Sequence, residues 1–188
     1  MKIGILGGTF NPIHIGHLIL AEETRQACGL DKIFFVPANI PPHKENGDII
    51  ESYHRLTMVK LSIEGNPYLA VSDMEIKRGG RSYTIDTVKA FKNLNPRDEI
   101  YFIIGSDLFK YLEDWKDLSE IIGMVKFIVA QRPGYPLKNL PSHIKTVDIH
   151  ALDISGFEIR QCVKKNKSIR YFVPEKVLSY IEKNKLYI

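Results

Sequence analysis

The chain has 188 residues, 44% hydrophobic and 26% charged, with a formal net charge of +4; this fits one domain of ordinary soluble composition better than two. No apolar run approaches the roughly 18 residues of a membrane helix. Only two cysteines occur, Cys28 and Cys162, and neither forms a CxxC pair, which argues against a cysteine-based zinc site and for free thiols in a reducing cytoplasm.

Residues 2–6 form a short apolar run ending at glycines, read as a buried first strand and not as a secretion signal. From residue 16 to 28 the pattern turns helical, with Gly29 as a C-terminal stop. KIFFV at 32–36 is a second strand, followed by a loop with Pro41 and Pro42. Ser52 is a candidate cap for a helix to about residue 64. Residues 69–71 and 74–76 read as short extended pieces, 84–94 as a helix, and 100–104 and 125–130 as buried strands. A weaker strand is expected at 145–149 and an amphipathic helix at 174–184. Apolar strands alternating with helices predict a Rossmann-like α/β fold: one domain over residues 1–188 with a doubly wound parallel sheet. The irregular stretches 37–50 and 131–144 both follow strands, and so fall at the carboxyl edge where such sheets bind ligands. The basic cluster Lys164, Lys165, Lys167 and Arg170 lacks the interleaved aromatics of a nucleic-acid stripe.

The sequence GGTFNPIHIGH at 7–17 spans the first strand–helix turn. The helix start offers free N–H groups and about half a positive charge, which suits a phosphate. His14 and His17, three apart, can face that site together. A metal site would want a third ligand and a general base an orienting carboxylate, and neither is apparent here. Imidazole N–H groups donating to phosphate oxygens need nothing further, and losing one such donor costs roughly 3–4 kcal/mol in a transition state. The turn matches neither GxGxxG nor GxxxxGK[ST], so a dehydrogenase and a P-loop kinase lose ground.

His14-Ile15-Gly16-His17 resembles the HIGH motif of the nucleotidyltransferase superfamily, which includes class I aminoacyl-tRNA synthetases and small adenylyl- and cytidylyltransferases. A synthetase would need further domains and a KMSKS segment, which is missing here. Nearly end to end the chain resembles the bacterial nicotinate mononucleotide adenylyltransferases. The resemblance rests on GGTFNPIHIGH, on PPHK at 41–44 and on GRSYTIDT at 80–87. It continues through FIIGSD at 102–107 and the lone Trp115 to ISGFEIR at 154–160.

That resemblance implies ATP and nicotinate mononucleotide as substrates, with Mg²⁺ carried on ATP and no protein metal site. It places backbone groups of Gly7, Gly8, Thr9 and Phe10 on the phosphates and His14 and His17 on the α-phosphate. Lys44 would add a mobile charge, Arg160 would grip the leaving pyrophosphate, and Ser155 would open a second phosphate helix. Gly105 and Asp107 would meet the ribose side, and Arg132 would line the nucleotide pocket. Tyr83, Thr84 and Trp115 would hold the pyridine, the helix start at 83–84 binding its carboxylate. Two departures stand out: Asn11 replaces a frequent aspartate, and Gly156 and Phe157 replace Ser and Thr, removing hydroxyls from the second phosphate motif. The rivals are a sibling such as phosphopantetheine adenylyltransferase, a nucleotide sensor without catalysis, and a zinc protein built on the two histidines. Homo-oligomerisation is left open.

Overall fold

The computed structural model describes residues 1–42, 49–131, 141 and 144–188. Six strands form one sheet: β1 (Lys2–Gly8), β2 (Lys32–Pro37), β3 (Leu69–Val71), β4 (Glu99–Gly105), β5 (Lys126–Gln131) and β6 (Ile144–Asp148). Their order is β3-β2-β1-β4-β5-β6, and every pairing is parallel. This is the doubly wound order in which the chain reverses direction between β1 and β4.

The helices are α1 (Ile15–Cys28), α2 (Ser52–Ile63), α3 (Met74–Arg78), α4 (Thr84–Leu94), α5 (Ser106–Phe109), α6 (Leu118–Met124), α7 (Gly156–Lys164) and α8 (Glu175–Lys183), with a 3₁₀ turn at Leu112–Asp114. Strand alternation sorts side chains onto two faces. Leu6, Phe35, Ile103 and Ile128 join Leu20 of α1, Met58 of α2, Ile159 of α7 and Val177 of α8 in one core. Ile5, Val36, Phe102 and Phe127 join Val88 of α4, Leu112 of the 3₁₀ turn and Ile121 of α6 in the other. Both faces are therefore covered, which is why the strands read as continuous apolar runs.

Two expectations need correction. Residues 74–76 are not extended: α3 begins there and stops at Gly79, whose φ of 72° lets its N–H reach the carbonyls of Glu75 and Ile76. Three residues of apolar alternation cannot separate a strand from one helical turn. The deciding contact is tertiary, the Thr87 hydroxyl of α4 donating to the buried Glu75 carboxylate. Ser52 is the first residue of α2 and not its cap; Glu51 holds that position without a side-chain bond.

Candidate active site

The reversal between β1 and β4 brings two glycine-ended strands side by side. Leu6 lies opposite Ile103, so the chain leaves β1 at Gly8 level with the end of β4 at Gly105. Asp107 follows in the first turn of α5, half-buried. On the other side β1 pairs with β2, and Gly8 stands opposite Pro37.

Beyond Gly8 the chain turns sharply. Phe10 is buried at φ 49°, in the left-handed region that a residue with a Cβ adopts only at a cost. Its ring fills the place a Gly8 side chain would take, 2.8 Å from where that Cβ would sit. It meets the His17 ring edge-on at 5.1 Å. His14 is buried and extended at the N-cap of α1, and Gly16 lets its ring fold over the helix start: a Cβ there would meet His14 Nδ1 at 3.2 Å. The two imidazole centroids are 3.7 Å apart. The His14 backbone N–H donates to His17 Nδ1 at 3.3 Å, so a neutral His17 ring carries its proton on Nε2.

The N-terminus of α7 closes on the same turn. Arg160 Nη1 donates to the Asn11 carbonyl at 2.7 Å, and its buried Nε has no partner among the described residues. Gly156 is wedged against that carbonyl, 2.9 Å from where a Cβ would stand. The departure from Ser at this position thus has a steric reason. Ser155 caps α7 reciprocally with Glu158: its Oγ accepts from the Glu158 N–H at 3.2 Å and donates to Oε2 at 2.8 Å. Its hydroxyl is thus committed to the helix in this state.

Gly8 and Thr9 also line a cleft of about 180 Å³ with Pro41, Pro42, Ser82, Tyr83, Thr84, Trp115 and Lys116. That volume suits one ring and its substituent more than a dinucleotide. Tyr83 caps α4 without a side-chain bond, leaving first-turn N–H groups without helical acceptors. Trp115 is fixed from behind by Phe102 and Phe127, with centroids at 5.5 and 6.2 Å. The Lys116 ammonium lies 4.9 Å from the Tyr83 ring centroid.

The structure thus brings Gly7, Gly8, Thr9, Phe10, His14, His17, Ser155 and Arg160 to one end of the turn and Tyr83, Thr84 and Trp115 to the other. Lys44 and Arg132 lie outside the described residues. Among the described residues no three of His, Cys, Asp and Glu converge as metal ligands.

Sequence reasoning missed four participants. Arg55, 1% exposed, donates to the carbonyls of Thr9, Ala38, Asn39 and Ile50. Burial pulls its pKa below the ordinary guanidinium value. Its signal was a charge three and four residues before the core positions Met58 and Val59. Tyr187 reaches back 176 residues to donate to Asn11 Oδ1 at 3.0 Å, and burial drives its hydroxyl pKa up. Nothing local in the sequence marks that contact. Lys116 and Ser82 were visible beside Trp115 and Tyr83 but unassigned; Ser82 Oγ accepts from the Asn39 N–H at 2.8 Å.

A family model described as cytidylyltransferase-like matches residues 5–162. A nicotinate-nucleotide adenylyltransferase of Bacillus subtilis is 43% identical over 186 residues, covering 99% of this chain and 98% of the relative. Among solved structures, the nicotinic acid mononucleotide adenylyltransferase of Plasmodium falciparum complexed with NaAD superposes with a TM-score of 0.83 at 24% identity, covering 99% of this chain and 97% of that one. The same parasite protein complexed with APC gives 0.82 at 23% identity, covering 99% and 96%. At such identities the two structures speak for the fold alone.

Proposed function

The chain belongs to the cytidylyltransferase-like family, in its nicotinate-nucleotide adenylyltransferase branch, and from that premise we infer that it joins ATP and nicotinate mononucleotide into nicotinate adenine dinucleotide. A phosphate oxygen of the mononucleotide attacks the α-phosphorus of ATP. A P–O bond forms there, the bond to the bridging oxygen breaks, and pyrophosphate leaves. The observation that carries this reading is the joining of two subsites by Gly8 and Thr9: imidazole and helix donors at one end, a half-buried indole beside an open helix start at the other.

The reaction needs alignment and charge stabilisation, with no covalent protein intermediate. The His17 Nε2–H and the His14 ring would donate to α-phosphate oxygens, where charge grows as the bond to phosphorus forms. Main-chain groups of residues 7–10 would line the polyphosphate. Arg160, with an unspent Nε–H beside the turn, would take the pyrophosphate, assisted by the α7 helix start. Lys44 and Arg132 keep the phosphate and nucleotide-pocket roles the resemblance gives them. Gly105 and Asp107, at the end of β4, would meet the ribose. Trp115 would stack on the pyridine, and first-turn N–H groups at Thr84 would receive its carboxylate. Magnesium enters as part of the substrate, MgATP. The reaction belongs to NAD biosynthesis, which supports a reading of the protein as cytoplasmic. Among the described residues no helix is long and apolar enough to cross a membrane.

The test is pyrophosphate release with MgATP and, in parallel, nicotinate mononucleotide, nicotinamide mononucleotide or phosphopantetheine. Fast release with the nicotinate acceptor supports the reading. No release with any acceptor, despite ATP binding, sinks it in favour of a nucleotide sensor.

A further inference from the structure

Arg55 is a buried side chain of this site whose chemistry the reaction does not use. It sits on α2 at a position where Leu or Met would fill the core, yet it is a guanidinium with 1% exposure. Among the described residues no carboxylate lies within ion-pair distance of it. An unpaired buried cation is costly, and arginine does not escape by losing its proton. What holds it is a set of main-chain carbonyls: Ile50 at 3.1 Å from Nε, Thr9 at 2.9 Å and Ala38 at 2.5 Å from Nη1, and Asn39 at 2.9 Å from Nη2. Thr9 follows β1, and Ala38 and Asn39 follow β2. One planar fork therefore fixes the carboxyl ends of two adjacent strands.

The peptide unit transmits that grip. In a trans peptide the C=O and the next N–H point to opposite sides. Opposite the clamped Ala38 carbonyl, the Asn39 N–H finds Ser82 Oγ at 2.8 Å, on the pyridine side of the cleft. Opposite the clamped Thr9 carbonyl is the Phe10 N–H, directed away from the guanidinium. Phe10 holds its left-handed conformation next to that peptide, and such a conformation persists only where its surroundings impose it. We propose that Arg55 is a positioning residue for the anion site: by holding the Thr9 carbonyl it aims the Phe10 N–H at the polyphosphate, and by holding Ala38 it ties the phosphate turn to the pyridine subsite.

This inference rests on the reading of residues 7–10 as the polyphosphate cradle. The test compares wild type, Arg55→Lys, Arg55→Met and Met58→Ala, a core truncation on the same helix that touches none of these carbonyls. Pyrophosphate affinity is measured by calorimetric titration at low temperature, alongside Tm and the KM for ATP. Losing a charged donor predicts at least about tenfold weaker pyrophosphate binding in Arg55→Met. Arg55→Lys keeps the charge without the fork and falls between. Met58→Ala loses Tm but stays within about twofold of wild type, its cost lying in packing alone. Wild-type pyrophosphate affinity in Arg55→Met overturns the inference. So does an equal loss in Met58→Ala at matched Tm. If Arg55→Met does not fold, the same two outcomes are read from Arg55→Lys. A wild-type protein that binds neither pyrophosphate nor ATP overturns the reading of the site itself, and the inference with it.

Discussion

His14 and His17 are locked together by their own backbone: the His14 N–H donates to His17 Nδ1 at 3.3 Å while the two rings lie 3.7 Å apart. The spacing of three places one ring at the helix cap and the other in the first turn. The bond makes His17 Nδ1 an acceptor, so in the neutral ring Nε2 carries the proton. His17→Ala should lower kcat by about 10²–10³-fold, the usual loss for one oxyanion donor, with ATP affinity nearly unchanged. Turnover rates and equilibrium ATP titration of the variant check this. An equal loss of affinity and rate would mean that the ring binds the ground state instead.

Gly156→Ala tests the packing of α7 on the turn that follows β1. The new Cβ would sit 2.9 Å from the Asn11 carbonyl, a backbone atom that cannot rotate away. Overpacking of this kind costs about 1–3 kcal/mol, a drop of a few degrees in Tm for a chain of this size. The same displacement would strain the Arg160–Asn11 bond, so ATP affinity should fall as well. Thermal melts with and without ATP measure both. A variant of unchanged stability would show that α7 has room the present packing denies.

The parts of this molecule that could be read in advance are those whose pattern is local. Strands β1, β2, β4 and β5 announce themselves because burial on both faces leaves almost no polar residue in them. The strand–helix turn at residues 7–17 was legible as a local motif because its glycines and histidines are contiguous. Arg55 was not, although a charge on the apolar stripe of α2 was there to see, because its acceptors lie on two loops up to 46 residues away. Tyr187 could not be read at all: a tyrosine one residue from the end of the chain acquires meaning only when α8 docks and carries it to Asn11. The short helix α3 failed for the opposite reason, being too brief to show a period.

The pyridine end should separate acid from amide through two neighbours. Trp115 is braced by Phe102 and Phe127, so Trp115→Phe keeps much of the platform while Trp115→Ala removes it. Stacking of a base on an aromatic ring contributes about 1–3 kcal/mol. The KM for the mononucleotide should therefore rise about 5–100-fold in Trp115→Ala and less in Trp115→Phe. Lys116 lines the same cleft, and on the proposed reading its charge would favour the carboxylate. Lys116→Met should lower kcat/KM for nicotinate mononucleotide and leave that for nicotinamide mononucleotide unchanged. Paired kinetics with the two acceptors read the difference; equal changes for both would remove Lys116 from specificity.

Glu75 predicts how stability follows pH. Burial pushes its carboxyl above the ordinary value of 4.5, against hydrogen bonds donated by Thr87 and Ser82 and the nearby Arg78, with Asp86 adding to the rise. A raised carboxyl pKa means that the folded chain holds a proton which the unfolded chain has lost. The stabilisation is complete below the unfolded value, then declines as pH climbs through the folded one. Glu75→Gln keeps an acceptor for the Thr87 hydroxyl and cannot ionise. The Tm of the variant minus that of wild type should therefore increase as pH rises from 4.5 toward neutrality, then level off once the wild-type group has ionised. Melting curves of both proteins between about pH 3 and 8 span that window on either side of the ordinary carboxylate range. A difference that stays flat across it would mean that Glu75 ionises in the folded protein as readily as in the unfolded chain, with Arg78 and the two hydroxyls fully offsetting its burial.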